Sequence, residues 1–314
     1  MGEVLNGYEL LGPFQNKDAG FSRWTYARKN GNEYFIKEFL DPIYPVEESL
    51  SEDLRKRRIR DCEEHEIRKK QLYEAIRDAS DGNLVTISEY FRFDSHYYVS
   101  TPRIGPEKIS PEAVRNISTE DKIFLCKALS HSMMKFHEVH MVHSDIKADN
   151  ILLKRTETGK LIGKIIDFDC SFFEDAPPQY EDELGGDQVY LAPESCLFIC
   201  GSPVKINCKA DVFSLGLLFH QYFTGSLPQF DMTEYDYAHE AILDNQKLKL
   251  SEDLLPEIKN IIELMLEGEP ACRISMKEVF AAFQKLDQDS ENVEEEKNAD
   301  MKNRDQFFYH AGDL

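Results

Sequence analysis

His143-Ser144-Asp145-Ile146-Lys147-Ala148-Asp149-Asn150, running straight into Ile151-Leu152-Leu153-Lys154, sets three charged side chains and an amide on a turn between apolar segments. Upstream, Thr119 to His137 carries Ile123, Leu129, Met133 and Phe136 near helical spacing, behind a capping signal at Ser118 and Asp121. Downstream, Ile151 to Lys154 and Lys164 to Ile166 read as two short strands, the second ending on Asp167-Phe168-Asp169. A capped helix therefore leads into a polar turn, and a hairpin returns a second acidic motif close by.

On the N-terminal side the pattern is mostly strand. Tyr8 to Leu11, Trp24 to Arg28, Glu33 to Phe39, Val85 to Phe93 and Tyr97 to Thr101 are rich in β-branched and aromatic residues, with a turn signal at Gly31-Asn32. One long charged helix, Glu52 to Ala79, interrupts them. After Pro106 helices dominate, around Val212 to Phe223, Leu254 to Leu266 and Met276 to Leu286. From Gln288 the chain turns acidic and poor in large apolar residues, the composition of a disordered tail, although Phe307-Phe308-Tyr309 could dock on a lobe. The expected domains are 1–104, 105–287 and the tail 288–314.

The 314 residues, 41% of them hydrophobic, suffice for two coupled cores. No apolar stretch approaches the ~18 residues that span a bilayer, and the N-terminus lacks the pattern of a signal peptide. A net charge of −21 disfavours nucleic acid and anionic membranes as partners, and the basic run Arg55 to Arg60 reads as a solvated helix face. Seven cysteines, an odd number, argue against a disulfide framework and for a reducing, cytoplasmic setting. Cys196, Cys200 and Cys208 lack the spacing of a zinc site.

Further motifs follow in fixed order: Phe35-Ile36-Lys37, Ala192-Pro193-Glu194, Asp211-Val212-Phe213-Ser214-Leu215-Gly216, and Arg273 in Pro270-Ala271-Cys272-Arg273. Together with the turn at 143–150, they resemble the eukaryotic (Hanks) type of serine/threonine protein kinase over residues 8 to 287. The resemblance implies an α+β, bilobal fold, with a small antiparallel-sheet N-lobe carrying one long helix and a larger helical C-lobe. It implies ATP and Mg2+ or Mn2+ as cofactors and a protein as substrate. Asp145 would accept the proton of the attacking hydroxyl, and Lys147 would neutralise the transferring phosphoryl group. Asn150 and Asp167 would hold the metal, an all-oxygen set that suits a hard cation. Lys37 would bind ATP, paired with a glutamate of the long helix. Glu63, Glu64 and Glu66 compete there, and Glu66 shares a face with Ile59, Cys62, Tyr73 and Ile76. Ala19-Gly20-Phe21-Ser22 resembles the distal half of the phosphate-covering loop, giving Gly20 and Ser22 a place in ATP binding. Glu194 would pair with Arg273, and Asp211 would steady the catalytic loop.

Several positions depart from the family pattern. Asp169 replaces a glycine, Asp187 a threonine and Ser144 an arginine that reads a phosphorylated activation loop; the segment 167–194 offers the hydroxyls Ser171 and Tyr180 before its closing strand. Activity independent of activation-loop phosphorylation is the resulting expectation. Glu174, Asp175, Glu181, Asp182, Glu183 and Asp187 make the segment acidic, which suits a basic substrate, with generic surface charge as the competing explanation. The alternatives to an active serine/threonine kinase are a pseudokinase scaffold and a small-molecule kinase.

Overall fold

The structure is a computed structural model that describes residues 3–16, 22–46, 51–80, 82, 84–105, 111–157, 159–180 and 183–289. Gly20, Glu181, Asp182 and all of the tail beyond Asp289 lie outside the described residues. The chain divides into two compact units, Met1–Glu107 and Lys108–Leu314.

Among its described residues, the first unit is a six-stranded antiparallel sheet with one helix. In chain order the strands are β1 (Val4–Leu5), β2 (Tyr8–Leu10), β3 (Ser22–Lys29), β4 (Asn32–Phe39), β5 (Glu89–Phe93) and β6 (His96–Pro102), arranged β1-β2-β3-β4-β6-β5. Two Asn-Gly turns set the register. Asn6 and Gly7 have φ of 47° and 82°, Asn30 and Gly31 have 52° and 82°, the positive pair that two-residue hairpins need. The β3–β4 turn is thus centred on Asn30-Gly31, one residue before the sequence signal, and pairs Lys29 with Asn32 and Trp24 with Lys37. β5 starts at Glu89, not Val85: Val85 to Ile87 is coil, and Ser88 donates its N–H to Ser100 O at 2.8 Å.

The sheet's two faces differ. Ala27, Ile36 and Tyr98 are buried with Leu5 and Tyr8 in one cluster, so the N-terminal hairpin covers that face. The opposite face takes helix α1 (Glu52–Ala79), whose Cys62, Leu72, Tyr73 and Ile76 are buried. Tyr73 packs on Tyr90 at 5.4 Å, His65 on Tyr97 at 5.8 Å, and Tyr97 donates its hydroxyl to Cys62 O at 3.4 Å. Phe39 and Lys37 pair with Tyr97 and Val99 on β6, which puts Lys37 on the face that receives α1.

The second unit is mainly helical: α2 (Pro111–Arg115), α3 (Thr119–Glu138), α4 (Pro193–Ile199), α5 (Lys209–Thr224), α6 (Ala238–Leu243), α7 (Pro256–Met265) and a last helix, α8, over 276–289. The capping of α3 is as read, with Ser118 Oγ accepting the Asp121 N–H at 3.0 Å. α5 supplies the core: Val212, Phe213, Leu215, Leu217, Leu218 and Phe219 are fully buried. It ends where Gly225, at φ 82°, donates its N–H to Gln221 O at 2.7 Å. Two short hairpins flank α3. β7 (Met141–Val142) pairs with β10 (Phe172–Phe173), and β8 (Ile151–Arg155) with β9 (Leu161–Ile165), the latter longer than the expected Lys164 to Ile166. They hold residues 143–150 and 166–171 side by side.

Candidate active site

Between β7 and β8 the chain must turn sharply while exposing polar groups, and α5 pins it there. Asp211, 1% exposed, accepts the N–H of His143 at 2.8 Å and of Ser144 at 2.9 Å, and takes the His137 Nε2 at 3.0 Å. A buried carboxylate is tolerable because three donors meet it. Ser144 sits at φ 69°, an uncommon conformation held by those bonds. His143 is fully buried; its Nε2 lies 3.1 Å from Ile166 O, and its ring contacts Phe168, which also packs on Phe136.

Asp145 follows directly. Its Oδ2 lies 2.9 Å from Lys147 Nζ and 2.8 Å from Asn150 Nδ2, and its Oδ1 accepts the backbone N–H of Asp187 at 3.1 Å. Asn150 Nδ2 also reaches Asp145 O at 2.8 Å. The single 3-10 turn Ala148–Asn150 brings Asn150 back onto Asp145. Burial alone would lower the Lys147 pKa, but its bond to Asp145 and the charges of Asp145, Asp187 and Asp167 outweigh burial and raise it.

Asp167 adopts φ 63°, and its predecessor Ile166 donates its N–H to Asn150 O at 3.0 Å, so Asp167 and Asn150 are held on adjoining strand ends. The amide nitrogen of Asn150 is committed to Asp145, which leaves its oxygen as the accepting end. A donor set of carboxylate and amide oxygens fits a hard cation such as Mg2+. The strained backbone sits at Asp167 and not at Asp169, whose φ is not positive; the glycine that the pattern expects at 169 is not needed here for conformational freedom.

Glu194 and Arg273 form a bidentate pair at 2.7 and 3.1 Å, both buried. Arg273 also donates to Glu267 O, Lys209 O and Gly268 O, tying α4, α5 and the loop before α8 to one guanidinium. In the acidic segment, Glu174 is engaged internally by Cys208 N–H at 2.8 Å and His140 Nδ1 at 3.0 Å, and is therefore not available to a substrate. Ser171 is buried, donating to His143 O at 3.3 Å, while Tyr180 is 65% exposed.

The family model for the protein kinase domain matches residues 53–283. The chain belongs to the protein kinase family. It is similar to the serine/threonine-protein kinase ULK3 of Mus musculus, 29% identical over 191 residues, covering 60% of this chain and 36% of that protein. It is also similar to the serine/threonine-protein kinase GRIK1 of Arabidopsis thaliana, 29% over 218 residues, 68% of this chain and 52% of that protein. With the serine/threonine-protein kinase zyg-8 of Caenorhabditis elegans the identity is 24% over 251 residues, 76% of this chain and 30% of that protein. The kinase chain thus spans about half or less of these relatives' lengths.

Gly20, Ser22 and Lys37 precede the matched segment. Ser22 is buried at the start of β3, paired with Phe39. Lys37 is half-buried, directly across from Trp24. Among the three candidate glutamates, Glu63 and Glu64 are exposed, whereas Glu66 is half-buried beside Tyr90 and Tyr97, on the side of α1 that meets the sheet; its Oε1 accepts from Lys70 at 2.6 Å. The backbone bond from Asp187 to Asp145 had no sequence signal. Among the described residues, no three His, Cys, Asp or Glu converge as a metal cluster, and no helix is long and apolar enough to cross a membrane.

Proposed function

We propose that this kinase transfers the γ-phosphoryl group of ATP to a serine or threonine hydroxyl of a protein. The observation that carries this is Asp145, held by Lys147, Asn150 and the Asp187 N–H on a loop pinned by Asp211. Asp145 orients the hydroxyl and takes its proton as the new O–P bond forms and the bond to ADP breaks. Lys147 balances charge on the transferring group, and Lys37, with Glu66, Gly20 and Ser22, holds the nucleotide. Asn150 and Asp167 would hold Mg2+, which would supply neutralisation of the phosphate oxygens. Catalysis of this kind is positioning and electrostatics on preset groups.

Lys147 and the similarity to serine/threonine-protein kinases support a serine/threonine acceptor; the seven cysteines, none in a disulfide, suit a cytoplasmic location. Ser144 Oγ donates to Gly185 O at 3.4 Å, a neutral tether where many kinases use a phosphate-reading arginine. Activity without activation-loop phosphorylation follows. The double variant Ser171→Ala, Tyr180→Phe keeps full turnover; loss of turnover in a folded variant contradicts it. Substrates are basic to the extent that Asp175, Glu183 and Asp187 face them, and a peptide array without Lys or Arg enrichment removes that preference. Phosphoproteomics after acute expression of wild type and of Asp145→Asn tests the activity as a whole: phosphosites on serine and threonine rise only with wild type, and identical profiles favour a scaffold.

A further inference from the structure

Cys196 and Cys200 stand four residues apart at the end of α4, a spacing that puts both side chains on one side of a helix. Cys200 is the capping residue and is exposed; Cys196, one turn earlier, is half-buried. The turn that joins them is closed by the Cys200 N–H donating to Cys196 O at 2.9 Å, and Gly201, at φ 81°, ends it one residue later. Burial, and after it the neighbouring Cys200 thiol, push the Cys196 thiol up to about 11, so it stays protonated at neutral pH. Cys272 is exposed too, but no other cysteine lies within four positions of it.

We infer that Cys196 and Cys200 are an oxidisable thiol pair, which hydrogen peroxide converts to a disulfide within α4. The exposed Cys200 sulfur attacks peroxide, the O–O bond breaks, and a sulfenic acid and water form. The Cys196 sulfur then displaces the sulfenic oxygen, which leaves as water with the Cys196 proton, and the S–S bond forms. The two sulfurs together lose two electrons and the peroxide gains them. Four helical residues separate Cα atoms by about 6 Å, inside the span of about 4.4–6.8 Å that a disulfide bridges. The Cβ atoms, about 5–6 Å apart at this spacing, must come to about 4 Å, so the bond opens the last turn of α4. That strain makes it readily reducible by a small dithiol, the character of a reversible modification. The other end of this seven-residue helix carries Glu194, bound to Arg273, and Ser195, which lines a small cavity with Ser144, Asp145 and Asp187. Distortion of α4 therefore reaches the segment that faces the protein substrate. This effect on turnover, unlike the thiol pair itself, rests on the kinase function proposed above.

Cleavage after Glu194 and Lys205 isolates residues 195–205, which hold these two cysteines and no other. The reduced whole chain is treated with hydrogen peroxide, unfolded, and labelled with iodoacetamide before that cleavage. By mass spectrometry the fragment is expected to lack both labels and two hydrogens, and to take up two labels when dithiothreitol precedes labelling. In Cys200→Ser the fragment is expected to carry a label at Cys196. Oxidation of wild type raises the KM for a peptide substrate about fivefold or more and leaves the KM for ATP as in the reduced protein. Cys196→Ser and Cys200→Ser keep their reduced-state KM through the same treatment. Cys200→Ser, at the exposed position, serves where Cys196→Ser fails to fold, as judged by circular dichroism. A wild-type fragment with two labels after peroxide, or with sulfinic acid at Cys200 and a label at Cys196, overturns the pair. A disulfide with unchanged peptide KM overturns its link to the substrate. Absence of turnover by reduced wild type removes the kinase function, while the mass of the fragment still decides the pair.

Discussion

At the scale of single residues, the site depends on close backbone approaches as much as on charge. Gly186 has φ 142°, and a Cβ there would meet Ser144 O at 2.9 Å, next to Asp145. Gly186→Ala is therefore expected to displace the Asp187 N–H from Asp145 and lower label transfer roughly a hundredfold, with a lowered melting temperature because the clash is with main chain. Unchanged turnover contradicts this use of the glycine. Arg273 serves stability instead. Arg273→Ala strands Glu194 in the core and costs about 3–5 kcal/mol in a denaturant titration; Arg273→Lys recovers little, because the fork to Glu194 and the bonds to three carbonyls need a guanidinium. That Asp145, Lys147, Asn150 and Asp167 lie near one another was legible in the sequence, because their order and spacing are dense within one loop and one hairpin. The part played by Asp187 was not, because a main-chain N–H carries no residue signature.

Among the elements, the strands and helices that bury a clear apolar face were the readable ones. Glu52 to Ala79 is α1 at both ends, as expected from its charge and length. The hairpin of β3 and β4 was readable as a pair, but the register followed the Asn-Gly dipeptide and not Gly31-Asn32. β1 was missed although Asn6-Gly7 announces its turn. Val85 to Ile87 carries β-branched residues yet stays coil, since pairing with β6 begins only at Glu89. One element joint predicts a pH response. His220 of α5 is buried, sharing Nδ1–H with Ser226 O at 2.7 Å and accepting the Ser251 N–H at Nε2 at 3.1 Å, so the neutral ring is the one that fits. Burial depresses its pKa below the ordinary 6.5, against a smaller rise from the Ser226 bond. The unfolded chain then binds more protons as pH falls, so this contribution is whole above pH 6.5 and is lost as pH drops towards the folded value. Melting temperatures at neutral and acid pH should therefore fall more steeply for wild type than for His220→Gln. Equal slopes contradict it.

For the whole molecule, the charge of −21 sets the conditions under which it is stable and what it meets. Self-repulsion of that size is screened as the Debye length shrinks from about 10 Å at 0.1 M to about 3 Å at 1 M salt. Melting temperature in sodium chloride is expected to rise over that range, each kcal/mol recovered giving roughly 2–4 °C; a fall shows that specific ion pairs outweigh net repulsion. The same charge speaks against nucleic acid as a partner and for basic protein segments as substrates, which no feature of the fold could reveal alone. The family was legible from motifs spread over Lys37 to Arg273, whereas the pairing of Lys37 with Trp24 across β3 and β4 needed the register. The most direct measurement is transfer of label from γ-labelled ATP, with Mg2+, to a mixture of basic proteins. Wild type labels serine and threonine, and Asp145→Asn falls about a hundredfold or more with its fold intact. Equal labelling by the two proteins, or none by wild type, contradicts the assignment of Asp145 as the base of an active protein kinase.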